Sequence, residues 1–305
     1  MKRNYSPEFK NRQKISGRDS SKYFAPKTIN EALEVLGDKE ELQIIAGGTD
    51  IMVEKFEKLY EVNTWLALDK IEELKEININ ENKLEIGAGV THNQLVNSSI
   101  IEENLEVLKR AALDVGSPQI RNRGTIGGNI VTSSPAGDLL PVLLIYNSKF
   151  VLKSKENERI VEANEFFTGV KENLLKENEL LTKVIIPLKK NDFAKWEKIG
   201  KRKALVISSL SLAIRITLDD QYKKIEDASL AMGAVAPTPI KINKATKEIL
   251  GKEIKEIDFE RIASIVEKEI SPIDDIRGTA DYRNDVAYNI TLRALNDIEK
   301  KIEGC

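Results

Sequence analysis

The stretch GSPQIRNRGTIGGNIVTSSPAGD, residues 116–138, constrains this chain more than any other: five glycines, two prolines and two arginines fall within 23 positions. Glycine and proline are the strongest breakers of regular structure, so no long helix or central strand can run through it. The segment must be a turn-rich connection between ordered neighbours. Before it, EENLEVLKRAALDVG reads as an amphipathic helix ending at Gly116; after it, Asp138–Tyr146 can form a short helix with Pro141 in its first turn. A second bare loop stands in LQIIAGGTDIMVE, where Gly47 and Gly48 follow an apolar run expected to be a buried strand. Glycine lets a ligand approach the backbone closely, and clustered N–H groups form a concave anion site. Thr125, Asn129, Thr132 and Ser133 add hydroxyl and amide groups. Either loop alone reads as an ordinary turn, whereas the two together could cradle a pyrophosphate without any lysine.

The rest of the chain supplies a mixed framework. Thr28 with Glu31, and Thr91 with Gln94, have capping-box spacing, and Gly37 is placed to end the first helix. TWLALD, EININ, KLEIGAG, KFVLKS, RIVEA, LLTKVIIP, FAKWEKIG, SLAIRITL and DASLAMGAVA read as strands, with a turn around Glu81 and Asn82. Beyond Pro237 charged helices are expected at about 241–251, 258–270 and 280–300. This order argues for an α+β chain with a lobe boundary near 188–192.

Composition removes several functions. With 47 Lys+Arg against 49 Asp+Glu the formal charge is -2, which carries no polyanion signature, so nucleic acid is not an expected partner. No run reaches the roughly 18 apolar residues of a membrane span. The lone cysteine, Cys305, excludes an intrachain disulfide and a cluster held by four thiolates of this chain. The lone histidine, His92, excludes multi-histidine zinc sites and reads as a surface or capping neighbour. EIGAGVTHNQ imitates a dinucleotide fingerprint, but its third glycine is replaced by His92, and no P-loop motif occurs. Residues 1–21 form a basic leader, expected to be a flexible arm and without the apolar block of a secretory signal. The chemistry is therefore expected to belong to a bound cofactor.

AGGTDIMVE, GSPQIRNRGTIGGNIVTSSPAGDLLPVLL, FFTG, ELLTKVIIP, WEKIGKRKALVISSLSLAI and DIRGTADYRNDVAYNITLRAL occur in the order and spacing of one family. Over residues 22–300 the chain resembles the FAD-binding medium subunit of the xanthine, carbon monoxide and nicotinate dehydrogenase type of molybdenum hydroxylase. The resemblance implies a vanillyl-alcohol-oxidase (PCMH)-type α+β fold: an FAD-binding domain over 22–190, with subdomains 22–75 and 76–190, then a C-terminal domain over 191–305 with a small antiparallel sheet and helices. It implies FAD as cofactor and assigns positions to it. Ile45, Ala46, Gly47, Gly48, Thr49, Asp50 and Ile51 wrap the pyrophosphate from one side, and Gly124, Thr125, Gly127, Gly128 and Asn129 from the other. Val115, Gly116, Ser117 and Ile120 line the flavin and its ribityl chain, with Val131, Thr132, Gly137 and Asp138 close by. Leu180 and Leu181 pack on the adenine or the ring system, and Lys198 contacts the cofactor, the alternative being a surface lysine on a strand. Arg121 and Arg123 remain open between ligand contact and ties within the loop.

The implied assembly has a molybdopterin-containing large subunit, a small subunit with two-iron iron–sulfur clusters, and NAD(P)+ or another acceptor such as ferredoxin, quinone or oxygen, in the cytoplasm. Flavin chemistry explains why no catalytic dyad is evident, because the cofactor carries the reaction and the protein orients it. Two rival readings are a self-contained flavoprotein of the same fold and a non-enzymatic assembly subunit.

Overall fold

The computed structural model describes residues 22–38, 42–56, 64–190, 192–202 and 206–304. The basic leader lies outside them. Among the described residues no helix is long and apolar enough to cross a membrane, and no group of three or more His, Cys, Asp or Glu side chains could hold a metal ion.

Three sheets carry the architecture. The first is parallel, in the order Lys22–Phe24, Thr64–Ala67, Leu42–Ile45. Helix Ile29–Asp38 packs on it through Ala32, Leu33 and Leu36, joined by Leu66, Ile71 and Leu74. Fully burying each of the larger side chains contributes about 1.5–3 kcal/mol. Gly37 does not end this helix, which continues to Asp38; a Cβ there would meet nothing within 4 Å, so that position is free of steric demand. The strand Leu42–Ile45 is half-buried throughout rather than buried, because it lies at the sheet edge beside the cleft described below.

The second sheet has five antiparallel strands in the order Ile77–Asn80, Lys83–Gly87, Leu180–Pro187, Lys149–Lys153, Glu158–Glu162. Two hairpins supply its edges, the first turning at Glu81 with φ 54°. The strand Leu180–Pro187 is inserted between Lys83–Gly87 and Lys149–Lys153. Everything between those two, including the glycine segment, therefore forms one long crossover against the sheet. Within it, helix His92–Asn97 starts with a complete capping box between Thr91 and Gln94, and helix Glu106–Leu113 buries Val107, Leu108, Ala111 and Ala112. Helix Leu140–Ile145 is apolar all round and every residue in it is buried, as a helix packed between layers must be.

The third sheet runs in sequence order through Asp192–Ile199, Leu210–Leu218, Ile225–Gly233 and Ile240–Lys241, antiparallel. Helices Asn243–Ile249, Phe259–Glu269 and Ala280–Glu303 cover it, sharing a core that includes Ile214, Val266, Ile290 and Leu295. Its other face joins the main core through Trp196, Ala213 and Ala231. Arg215 fastens the two halves: its Nε donates to Ile145 O at 3.0 Å and its Nη2 to Asp227 at 2.7 Å, and its guanidinium lies 5.4 Å from the Tyr146 ring centroid. Burial and Asp192 push the Tyr146 hydroxyl above its usual range.

Candidate functional site

A cleft of about 1740 Å³ opens where the parallel sheet meets the crossover. It exceeds the usual range of small-molecule pockets, about 300–1,000 Å³, and suits an elongated ligand. Both glycine loops line it. A Cβ added to Gly47 would stand 1.9 Å from Arg123 O and 3.0 Å from Gly124 Cα, so the two loops touch backbone to backbone. Across the same junction Thr132 donates its hydroxyl to Asp50 at 3.1 Å.

The loops contribute differently. Among the described residues no protein acceptor faces the amides of Gly47, Gly48, Thr49 and Asp50, and all four residues line the cleft. Gly48 has φ +75°, the left-handed turn that brings successive amides onto one concave side. In the second loop the donors from Ile126 to Asn129 are already engaged, while Thr125 N–H meets no acceptor among the described residues. Ile126 N–H bonds Val90 O at 2.9 Å, Gly127 N–H bonds Ala88 O at 2.9 Å, Gly128 N–H bonds the Thr125 hydroxyl at 3.0 Å and Asn129 N–H bonds Thr125 O at 3.0 Å. This corrects the expectation of two matching sets of main-chain donors.

Most glycines of the segment serve packing. A Cβ would meet Ile120 at 2.9 Å from Gly116, His92 at 3.0 Å from Gly124, Ala88 O at 2.6 Å from Gly127 and Leu140 at 2.9 Å from Gly137. Gly128 alone of the five opens to the cleft, with only the Thr125 hydroxyl at 3.1 Å. The second loop thus offers a bare wall together with side-chain groups. The Asn129 side chain has no hydrogen-bond partner among the described residues, and its Oδ1 is buried, an orphan that a ligand can satisfy.

Of the positions expected at the cofactor, all but Ile45 and Lys198 line the cleft. Lys198 is neither a surface lysine nor a lining one. Its buried ammonium donates to Asp138 at 2.6 Å and to Asp114 O at 2.8 Å. Asp138, which does line the cleft, also accepts from Ser208 at 2.6 Å, and burial holds its carboxyl above the usual range despite Lys198. Through this pair the third sheet fixes the cleft wall. Arg121 ties the loop, donating to Val115 O and Gly116 O, both at 3.2 Å. Arg123 lines the cleft, and among the described residues no carboxylate pairs with it.

Several lining residues carried no sequence signal. Val206 and Ile207 reach the cleft from the C-terminal half, and Lys171 and Asn173 from the ribbon Phe167–Gly169/Glu172–Asn173. Lys171 pairs with Glu54 across the opening, and Asn173 donates to Val131 O at 2.9 Å. His92 is 3% exposed rather than a surface residue. Burial, with the Arg121 charge, lowers its pKa to about 4, so it is neutral at pH 7. Gly87 and Gly89 of the imitation fingerprint are explained by packing: a Cβ on either would meet Leu74 O, at 2.3 and 3.0 Å.

The lining carries Lys75, Arg123, Lys171 and Lys176 against six acids, Asp50, Glu54, Asp69, Asp138, Glu177 and Glu179. An anion would therefore have to be held there by N–H groups rather than by net charge. Free amides, an orphaned amide side chain and one wall open at an α-carbon fit a dinucleotide diphosphate.

Comparison with known proteins agrees. Residues 16–189 match the family described as FAD binding domain in molybdopterin dehydrogenase, and residues 197–298 match CO dehydrogenase flavoprotein C-terminal domain. The nicotinate dehydrogenase FAD-subunit of Eubacterium barkeri is 31% identical over 288 residues, covering 92% of this chain and 97% of the relative. The carbon monoxide dehydrogenase medium chain of Hydrogenophaga pseudoflava is 30% identical over 280 residues, covering 90% and 95%. A solved structure of carbon monoxide dehydrogenase from that organism superposes with a TM-score of 0.85 at 30% identity, over 90% of this chain and 96% of that one. The cleft, both matched halves and these relatives lead to one conclusion: this chain belongs to the FAD-binding medium subunits of the molybdenum hydroxylase family and is an oxidoreductase subunit with FAD as its cofactor.

Proposed function

We propose that this chain is the electron-transfer subunit of a molybdenum hydroxylase, passing electrons from iron–sulfur clusters of a small partner through FAD to NAD(P)+. The substrate is oxidised at a molybdopterin centre on a large partner subunit, and the complex works in the cytoplasm. The observation that carries this reading is the run of amides without a protein acceptor at Gly47–Asp50 and the open wall at Gly128, both lining one cleft. Carbon monoxide dehydrogenase and nicotinate dehydrogenase relatives, matched over 95% and 97% of their own lengths, support the multi-subunit setting.

In this reading the fold is PCMH-type, with subdomains 22–75 and 76–190 enclosing the cofactor and 191–305 closing one end. The amides of Gly47–Asp50 hold the diphosphate, and Asn129, Thr132 and Thr125 complete its surroundings. Val115, Gly116, Ser117 and Ile120, with Ile207, bound the flavin end, while Leu180 and Leu181 form an apolar floor. Lys198 acts from behind Asp138 and holds that wall in place. Bound there, FAD supplies a carrier that takes up single electrons and releases them in pairs.

The test is purification of the native complex with metal analysis, followed by NADH titration of the isolated, FAD-loaded chain. Molybdenum and iron in the complex and bleaching of the flavin by NADH are expected. Bleaching by an organic substrate without partners, or a chain that cannot be loaded with FAD, overturns the proposal.

A further inference from the structure

His92 is a buried titratable side chain at the cleft that the functions above leave unused. Its ring lies against the glycine junction. The position of a Cβ on Gly124 is 3.0 Å from His92 Cδ2 and 3.3 Å from Nε2, and Gly124 in turn abuts Gly47. The backbone is locked in the same place, with His92 N–H bonded to Gly124 O at 2.9 Å.

The two ring nitrogens differ. Nδ1 is buried and meets no hydrogen-bonding group among the described residues. Nε2 has no protein partner either, but it is not sealed from the cleft that His92 lines. A buried N–H without an acceptor is rarer and costlier than a buried lone pair without a donor. The ring therefore places its lone pair at the sealed Nδ1 and its proton at Nε2. The charged groups around it agree with a neutral ring: Arg121 is the cation beside it, and Thr91 and Gln94, its neighbours on the same turn, are uncharged.

We propose that His92 is a further cofactor-binding residue, a neutral imidazole whose Nε2–H donates to an anionic oxygen of the dinucleotide's diphosphate. It extends the run of donors at Gly47–Asp50 past Gly124. The inference rests on the FAD reading of the cleft.

As His92 is the only histidine of the chain, ¹⁵N-histidine labelling of the full chain gives one ring to follow. The expected spectrum is the Nε2–H tautomer, with that proton entering slow exchange when FAD is added. In fluorescence titrations, H92L should weaken FAD, and ADP as its competitor, by about tenfold or more, while riboflavin, which has no phosphate, stays within about twofold. H92Q, whose amide nitrogen can replace Nε2–H, should recover most of the FAD affinity. An Nδ1–H tautomer, ring signals unmoved by FAD, or equal losses for riboflavin and FAD overturns the proposal. Wild-type protein that fails to bind FAD overturns the cleft reading itself, which separates the two failures.

Discussion

Gly128→Val separates a cleft wall from a structural turn. In helix Ile126–Thr132, a Cβ added at Gly128 would have one neighbour, the Thr125 hydroxyl at 3.1 Å against an ordinary contact of 3.4 Å. A shift of about 0.3 Å relieves it, and valine regains a few tenths of a kcal/mol of helix propensity over glycine. Folding stability should therefore change by less than about 1 kcal/mol. The three added carbons instead occupy the cleft, in the space that the proposed FAD site gives to the diphosphate beside the bare α-carbon. Displacing it from even two charge-assisted hydrogen bonds at about 1.5 kcal/mol each removes about 3 kcal/mol, roughly two orders of magnitude in affinity. The assay pairs FAD titration of apoprotein, read by flavin fluorescence quenching, with thermal unfolding of the same sample. Stoichiometric FAD at wild-type affinity in the valine variant would falsify the assignment, and a large drop in apoprotein Tm would refute the open-wall geometry.

Other perturbations give different signatures. Gly47→Ala places a Cβ 1.9 Å from Arg123 O; the loops must part by about 1.5 Å to reach ordinary contact, costing about 3 kcal/mol or more, so both Tm and FAD retention should fall together. Lys198→Met strands the Asp138 carboxylate, whose side chain is 10% exposed, and should cost about 3 kcal/mol in urea unfolding at pH 8. Because burial already raises the Asp138 pKa, that deficit should shrink as pH falls and the carboxyl takes a proton. A deficit unchanged down to pH 5 contradicts the buried pair. For His92 the folded pKa of about 4 lies below the usual 6.5; the unfolded chain binds the proton first, so stability is lost as pH falls from 6.5 toward 4. Relative to H92L the wild type should lose up to about 3 kcal/mol across that window, measured as the difference between the two denaturation profiles, in which shared carboxylates cancel.

Local chemistry was readable from the chain alone. Thr91 and Gln94 predicted a capping box that the helix completes, and strand alternation and the helices after Pro237 follow from period and composition. The two glycine loops pointed to a pyrophosphate, because the tight turns and close approaches they permit are backbone properties that need no partner to be recognised, while FAD came from the family resemblance. Tertiary packing decided what each residue does. Gly127 and Gly124 are bare because Ala88, His92 and Gly47 press against them, and the amides from Ile126 to Asn129 are spent on Ala88, Val90 and Thr125, which leaves Gly47–Asp50 as the run of amides without a protein acceptor among the described residues. Likewise Lys198 turned from the cleft to Asp138, His92 was buried, and Ile207 arrived from the far half of the chain. Each of these depends on which surfaces meet across long sequence separations. A residue's type limits the bonds it can make, but only its neighbours in space determine which of them remain free for a ligand.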